Sequence, residues 1–104
     1  MEVQFFDDNL KEFIRGLQKP TISKILRAID LIQQFGYHLR MPHSKPLGKE
    51  LFELRIRGIQ EVRIIYTFHK NTALLLHGFI KKTQHIPNRK IEIALQKLST
   101  LDNI

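Results

Sequence analysis

Apolar residues recur along the chain at two different spacings, and the switches between them divide it into a helical part, a stranded part and a closing helix. Leu10, Phe13, Ile14 and Leu17 stand at i, i+3, i+4 and i+7, one stripe of an α-helix, with Asp7 or Asp8 able to cap its first turn. That helix ends before Pro20. A second starts near Thr21, with Ile22, Ile25, Leu26, Ile29 and Ile32 on its apolar stripe, Phe35 close to it, and Gly36 where a left-handed C-terminal residue belongs. The two predict a helical hairpin, preceded by a short edge strand at residues 2–6. From residue 37 to 50 the apolar period disappears, and two prolines, a glycine and the cations Arg40, Lys45 and Lys49 predict a basic loop. Alternating and β-branched runs at 51–57, 61–69 and 73–81, separated by turns at Gly58 and at Lys70-Asn71-Thr72, predict a three-stranded meander. Pro87-Asn88 then opens a helix carrying Ile91, Ala94, Leu95, Leu98 and Leu101 on one face. With no internal repeat, residues 1–104 read as a single α+β domain, a helical hairpin packed on an antiparallel sheet with a C-terminal helix.

The turns also predict a strand register. Centring the first on Ile59 sets Arg55 opposite Arg63 and Arg57 opposite Glu61; centring the second on Asn71 sets Arg63 opposite Phe79 and Glu61 opposite Lys81. One face then carries Phe52, Leu54, Ile56, Val62, Ile64, Tyr66, Phe68, Leu74, Leu76 and Ile80 and packs on the helices. The other carries Glu53, Arg55, Arg57, Glu61, Arg63, His77, Phe79 and Lys81. Facing arginines repel, by roughly 0.2–1 kcal/mol for a cross-strand pair. Two readings stay open: a phosphate sits between them, or Glu53 and Glu61 neutralise them and the face is simply solvated.

Composition sharpens this picture. The chain has 104 residues, with 17 Lys and Arg against 10 Asp and Glu, a net charge of +7. That size suits one small core, and the charge favours a polyanionic partner. The absence of cysteine excludes disulfides, thiolate nucleophiles and cysteine-ligated zinc. The acidic start MEVQFFDD does not resemble a signal peptide and no apolar run is long enough to span a membrane, so a cytoplasmic protein without a membrane partner is expected. Histidines at 38, 43, 69, 77 and 85 lack metal-ligand spacing, and no cofactor is expected.

Several linked runs carry a resemblance. Lys45-Pro46-Leu47-Gly48, Leu51-Phe52-Glu53-Leu54-Arg55, Val62-Arg63-Ile64-Ile65-Tyr66, and Leu76-His77-Gly78-Phe79-Ile80-Lys81-Lys82-Thr83, followed by Pro87 and Ala94, together resemble the RelE/ParE toxin superfamily, and most closely its HigB branch with phage-derived members. The resemblance implies a compact microbial RNase toxin fold, a toxin of a type II toxin-antitoxin system, and ribosome-dependent cleavage of mRNA in the 30S A site. It also implies a helix-turn-helix antitoxin of the HigA kind, whose complex with the toxin binds operator DNA. By the same resemblance Arg63 meets the scissile phosphate, while Lys81, Lys82 and the loop residues Lys45 and Lys49 hold RNA or move protons. The chain departs from relatives in having Ile86 before the last-loop proline and His85 where some carry a catalytic tyrosine.

Metal-independent attack by an RNA 2′-hydroxyl needs a proton acceptor, cations for the phosphorane and an acid for the leaving oxygen. Arg63 with Arg55 suits the phosphorane, because a guanidinium stays charged and donates in parallel pairs. A lysine crowded by arginines, or a histidine, suits proton transfer, which nominates Lys81, Lys82 and His85. Arg57 adds an RNA-binding cation, and Phe79 a ring on which a base can stack. Two rivals share the fold: a ParE-type gyrase poison and a non-catalytic RNA-binding module.

Overall fold

The computed structural model describes residues 1–101, and its elements follow the apolar pattern closely. In chain order they are β1 (Glu2–Phe5), α1 (Asp8–Arg15), α2 (Lys19–Phe35), β2 (Ser44–Gly48), β3 (Leu51–Ile56), β4 (Val62–His69), β5 (Thr72–Ile80) and α3 (Asn88–Leu101), with a single 3-10 turn at Gly36–His38. Asp7 caps α1 by accepting a hydrogen bond from the Leu10 N–H at 3.1 Å. Pro20 lies in the first turn of α2, where its missing N–H costs nothing, and Gly36 ends that helix at φ 52°. The described helices and strands form an α+β fold.

The sheet runs β1-β5-β4-β3-β2, antiparallel throughout except that β1 lies parallel to β5. The edge strand β2 occupies part of the segment expected to be a loop. Its pattern hides it, because Pro46 can be accommodated at a sheet edge and only Leu47 is strongly apolar. Lys49 and Glu50, both at positive φ, make the two-residue turn into β3, and Lys70 and Asn71 do the same between β4 and β5.

Helices cover both faces of the sheet. On one side α1 and α2 bury Leu10, Leu17, Ile25, Ala28 and Ile32 against Leu54, Ile56, Val62, Ile64, Tyr66, Ala73 and Leu75. On the other, α3 covers Leu51, Ile65, Leu74, Leu76 and Phe79 with Ala94 and its flanking leucines. Leu74 and Leu76 therefore face α3 and not the hairpin, contrary to the alternation read from the sequence. A register shift between Ile65 and Tyr66 explains this: Thr67 pairs with Leu74 and Tyr66 with Leu75, but Ile65 pairs with His77, so an extra β5 residue is accommodated there. Leu26, expected on the buried stripe of α2, and Phe35, expected close to it, are 57% and 46% exposed, because α2 packs through Ile25 and Ile32 of that stripe together with Thr21 and Ala28.

Gly78 marks a close approach of α1 to β5, since a Cβ there would stand 2.9 Å from both Leu10 Cδ1 and Phe13 Cε2. Gly78→Ala is expected to cost about 1–3 kcal/mol by overpacking, whereas Lys70→Gly, relieving a positive φ of 50°, should raise stability by up to about 1 kcal/mol. Urea unfolding of the two variants measures both shifts.

Candidate nucleic-acid cleft

The register at the functional end of the sheet is the expected one, with Arg55 opposite Arg63 and Arg63 opposite Phe79. Beyond the ladder, the Lys81 N–H donates to the Glu61 carbonyl at 2.7 Å, and Arg57 Nε lies 3.6 Å from Glu61 Oε1. Cross-strand arginines thus do meet, and their repulsion is answered within the chain. Glu53 Oε1 stands 3.4 Å from Arg55 Nε and 3.5 Å from Arg63 Nε. Glu61 Oε1 lies 3.3 Å from Arg63 Nη2. The side chains Arg55, Glu53, Arg63, Glu61 and Arg57 form one chain of alternating charge.

Arg63 is the enclosed centre of that chain. Only 2% exposed, it donates from Nη1 to the Val62 carbonyl at 2.9 Å and toward the Ile56 carbonyl at 3.4 Å. It is therefore not presented to a phosphate in this conformation; of the two readings open for the facing arginines, the geometry is that of neutralisation by Glu53 and Glu61, with Arg63 buried and not solvated. Phe79 is corrected likewise: it is 4% exposed beneath α3, with Lys90 Nζ 5.6 Å above its ring and His77 stacked on it, and offers no open face to a base. A strand pattern reveals neither that α3 covers Phe79 nor that Glu53 and Glu61 close over Arg63.

The accessible cations divide among three hollows. A cleft of about 350 Å³ gathers Lys45 from β2, Glu53 and Arg55 from β3, Lys81 after β5, and Gln84 and His85 from the loop before α3, over an apolar floor of Leu47, Ile86 and Ile91. Lys82 instead lines an adjoining, more apolar hollow with Phe13, Phe79, Pro87 and Lys90, which Lys81 shares. Arg57 faces a groove against α2, and Lys49 stands in the β2–β3 turn. Of the nine residues proposed from the sequence, Lys45, Arg55, Lys81 and His85 therefore come together. Among the described residues none of Lys45, Lys81, Lys82 and His85 pairs with a carboxylate. Glu53 and Gln84 are the cleft residues that a search for cations passes over.

Electrostatics separate this cleft from the remaining polar groups. Burial works to raise the Glu61 pKa, but the Gly58 N–H, Arg63 and Arg57 outweigh it and hold the carboxyl below its usual range. The Nε groups of Arg55 and Arg63 are buried and make no hydrogen bond despite their nearness to Glu53. His77 does not line the cleft but stacks on Phe79 on the same α3 side of the sheet. Burial, then Lys97 and Lys90, push it down to about 4 against an opposing pull from Asp7, so it is neutral near pH 7. Asp7 and Lys97, 3.0 Å apart, join the start of α1 to α3 beside it. Among the described residues no group of three metal-ligating side chains converges, and no helix is long and apolar enough to cross a membrane.

Two predictions follow from these environments. Arg63→Ala leaves Glu53 buried with one partner fewer and should cost about 3 kcal/mol or more, while Glu53→Gln combined with Arg63→Met should recover much of that loss in denaturant unfolding. For His77, the folded state keeps the ring neutral while the unfolded chain takes up a proton near 6.5. Its contribution is whole above about pH 6.5 and is lost as pH falls from there toward about 4. His77→Gln should flatten the stability profile across that window, measured by urea unfolding at stepped pH.

Compared with known proteins, residues 12–99 match the family model described as phage derived protein Gp49-like. No curated protein matches the chain.

Proposed function

The chain belongs to the Gp49-like phage-derived family, a RelE/ParE-like toxin family, and from that premise we propose that it is a HigB-type toxin that cuts translated mRNA on the ribosome. A toxin of this family implies an antitoxin partner; the reading adds that this partner is a helix-turn-helix protein and that their complex binds operator DNA. The observation that carries the reading is the convergence of Lys45, Arg55, Lys81 and His85 on one open cleft with an apolar floor.

In this reading the RNA strand lies in the cleft with its scissile phosphate at Arg55. The 2′-oxygen attacks phosphorus, the bond to the 5′-oxygen breaks, and a 2′,3′-cyclic phosphate remains on the upstream fragment. Arg55 stabilises the crowded phosphorane with hydrogen bonds that a fixed guanidinium makes without reorganisation. Its Nη1 reaches only the Met41 sulfur, at 3.4 Å, which leaves donor capacity for an added oxygen. Lys81 and His85 exchange the two protons, one accepting from the 2′-hydroxyl and the other giving to the leaving 5′-oxygen. Lys45, with Lys49 and Lys82 beyond the cleft, holds neighbouring phosphates. Arg63 acts from beneath as a positioning residue, through Glu53, to set the orientation of Arg55.

Brief expression without antitoxin, followed by mapping of cellular RNA 5′ ends, tests this directly. Translated messages should be cut, and Arg55→Ala or His85→Ala should lower cleavage by about a hundredfold or more; His85→Ala should leave urea unfolding nearly unchanged, whereas Arg55→Ala also removes a partner of the buried Glu53 and should lower stability. Arrested growth with intact messages overturns the reading, and an accompanying DNA-damage response would point to gyrase instead.

A further inference from the structure

Arg55 lines two hollows, and only one of them has a role in the reading above. The second is a groove of about 310 Å³ between α2 and β3, where Lys24 and Arg27 face His43, Arg55 and Arg57 across Ala28 and Ile56. No carboxylate lines it. Lys24 Nζ is fixed by donating to the Arg57 carbonyl at 2.7 Å, close enough to the following turn that a Cβ on Gly58 would lie 2.5 Å away. Among the described residues neither Lys24 nor Arg27 pairs with an acid, although α2 carries Asp30. On the far side, Arg55 Nη1 reaches only the Met41 sulfur, at 3.4 Å, and Arg57 is paired with Glu61 but exposed.

Lys24 and Arg27, neither of them paired with a carboxylate, retain their attraction for an anion, and Lys24, already fixed on the Arg57 carbonyl, loses little side-chain freedom when one arrives. Because Arg55 belongs to both hollows, a strand leaving the cleft beside Lys45 and Lys81 can cross it and enter the α2 groove without leaving cationic surface. We propose that the Lys24–Arg27 groove is a second phosphate subsite, holding the same RNA strand a few nucleotides from the phosphate at Arg55. This rests on the RNA-cleavage reading for the identity of the strand, but not on cleavage itself. Its chemistry is sequence-independent, because guanidinium and ammonium groups reach phosphates and the only aromatic ring in the groove's lining is that of His43.

The test uses 2′-O-methyl RNA, which binds but cannot be cut, with the intact protein. Lys24→Glu and Arg27→Glu together should weaken binding of an oligomer of about twelve nucleotides by about tenfold or more, and each lost cation should shallow the plot of log affinity against log salt by about 0.7. Arg27→Glu alone guards against disturbance of the Gly58 turn by loss of the Lys24 hydrogen bond, and it should give about half of the slope change. Unchanged affinity and slope in both variants, with cleavage in cells still dependent on Arg55 and His85, overturn the subsite and leave the nuclease reading standing. Altered slopes without any cleavage by the parent protein leave the subsite standing and overturn the nuclease reading. A loss confined to ribosome binding, with the free oligomer bound as before, also overturns the proposal, because the groove would then hold ribosomal RNA and not the strand in the cleft.

Discussion

The alternating series Arg55, Glu53, Arg63, Glu61 and Arg57 is the interaction on which the functional end of this protein depends. Burying an arginine is costly unless its charge is matched and its donors are occupied. Arg63 has its charge matched and its Nη1 and Nη2 donors occupied only when β3 and β4 are in one register, with a glutamate two positions before Arg55 and another in the turn beside Gly58. A one-residue slip would place Glu53 on the opposite face and leave a guanidinium in the core. The ionic series thus discriminates strongly between registers, whatever its net effect on stability.

Its asymmetry shapes the surface. Three guanidinium groups share two carboxylates, and both acids are spent on the buried middle, so the uncompensated charge appears at the ends, at Arg55 and Arg57. Those ends open toward the two hollows on either side of β3, where Lys45 and Lys81 or Lys24 and Arg27 add cations without adding acids. A chain with seven surplus positive charges could spread them evenly as a solubilising coat. Here the core itself directs part of that surplus to one end of the sheet.

Most of the fold was legible because local signals agreed with the global arrangement. The stripe of α1, the Asp7 cap, Gly36, Pro87-Asn88 and the apolar face of α3 each appear where their spacing put them. Three features were not legible, each for a physical reason. Pro46 masked β2, the exposure of Leu26 depended on which helix face met the sheet, and a bulge has no residue signature of its own. The site was legible by residue type but not by depth. Alternation identifies the residues sharing a face with Arg55, yet only the docking of α3 decides that Phe79 is core, and only the partners at Glu53 and Glu61 decide that Arg63 is closed over.

The short turn at Lys70-Asn71 and the bulge further along β5 offset one another. A two-residue turn displaces the pairing by one position relative to a three-residue turn, and the extra residue near His77 restores it before the strand reaches Phe79. Two sequences of this architecture can therefore differ by an insertion at the turn and a deletion in the strand and still bring identical side chains to the sheet end. Between those points they would exchange which alternate residues face α1 and α3. Aligning such chains without gaps would match the end of the sheet at Arg63 and Phe79 correctly while pairing core positions from opposite sides of the sheet, so that divergence in the middle of β5 measures topology-preserving drift.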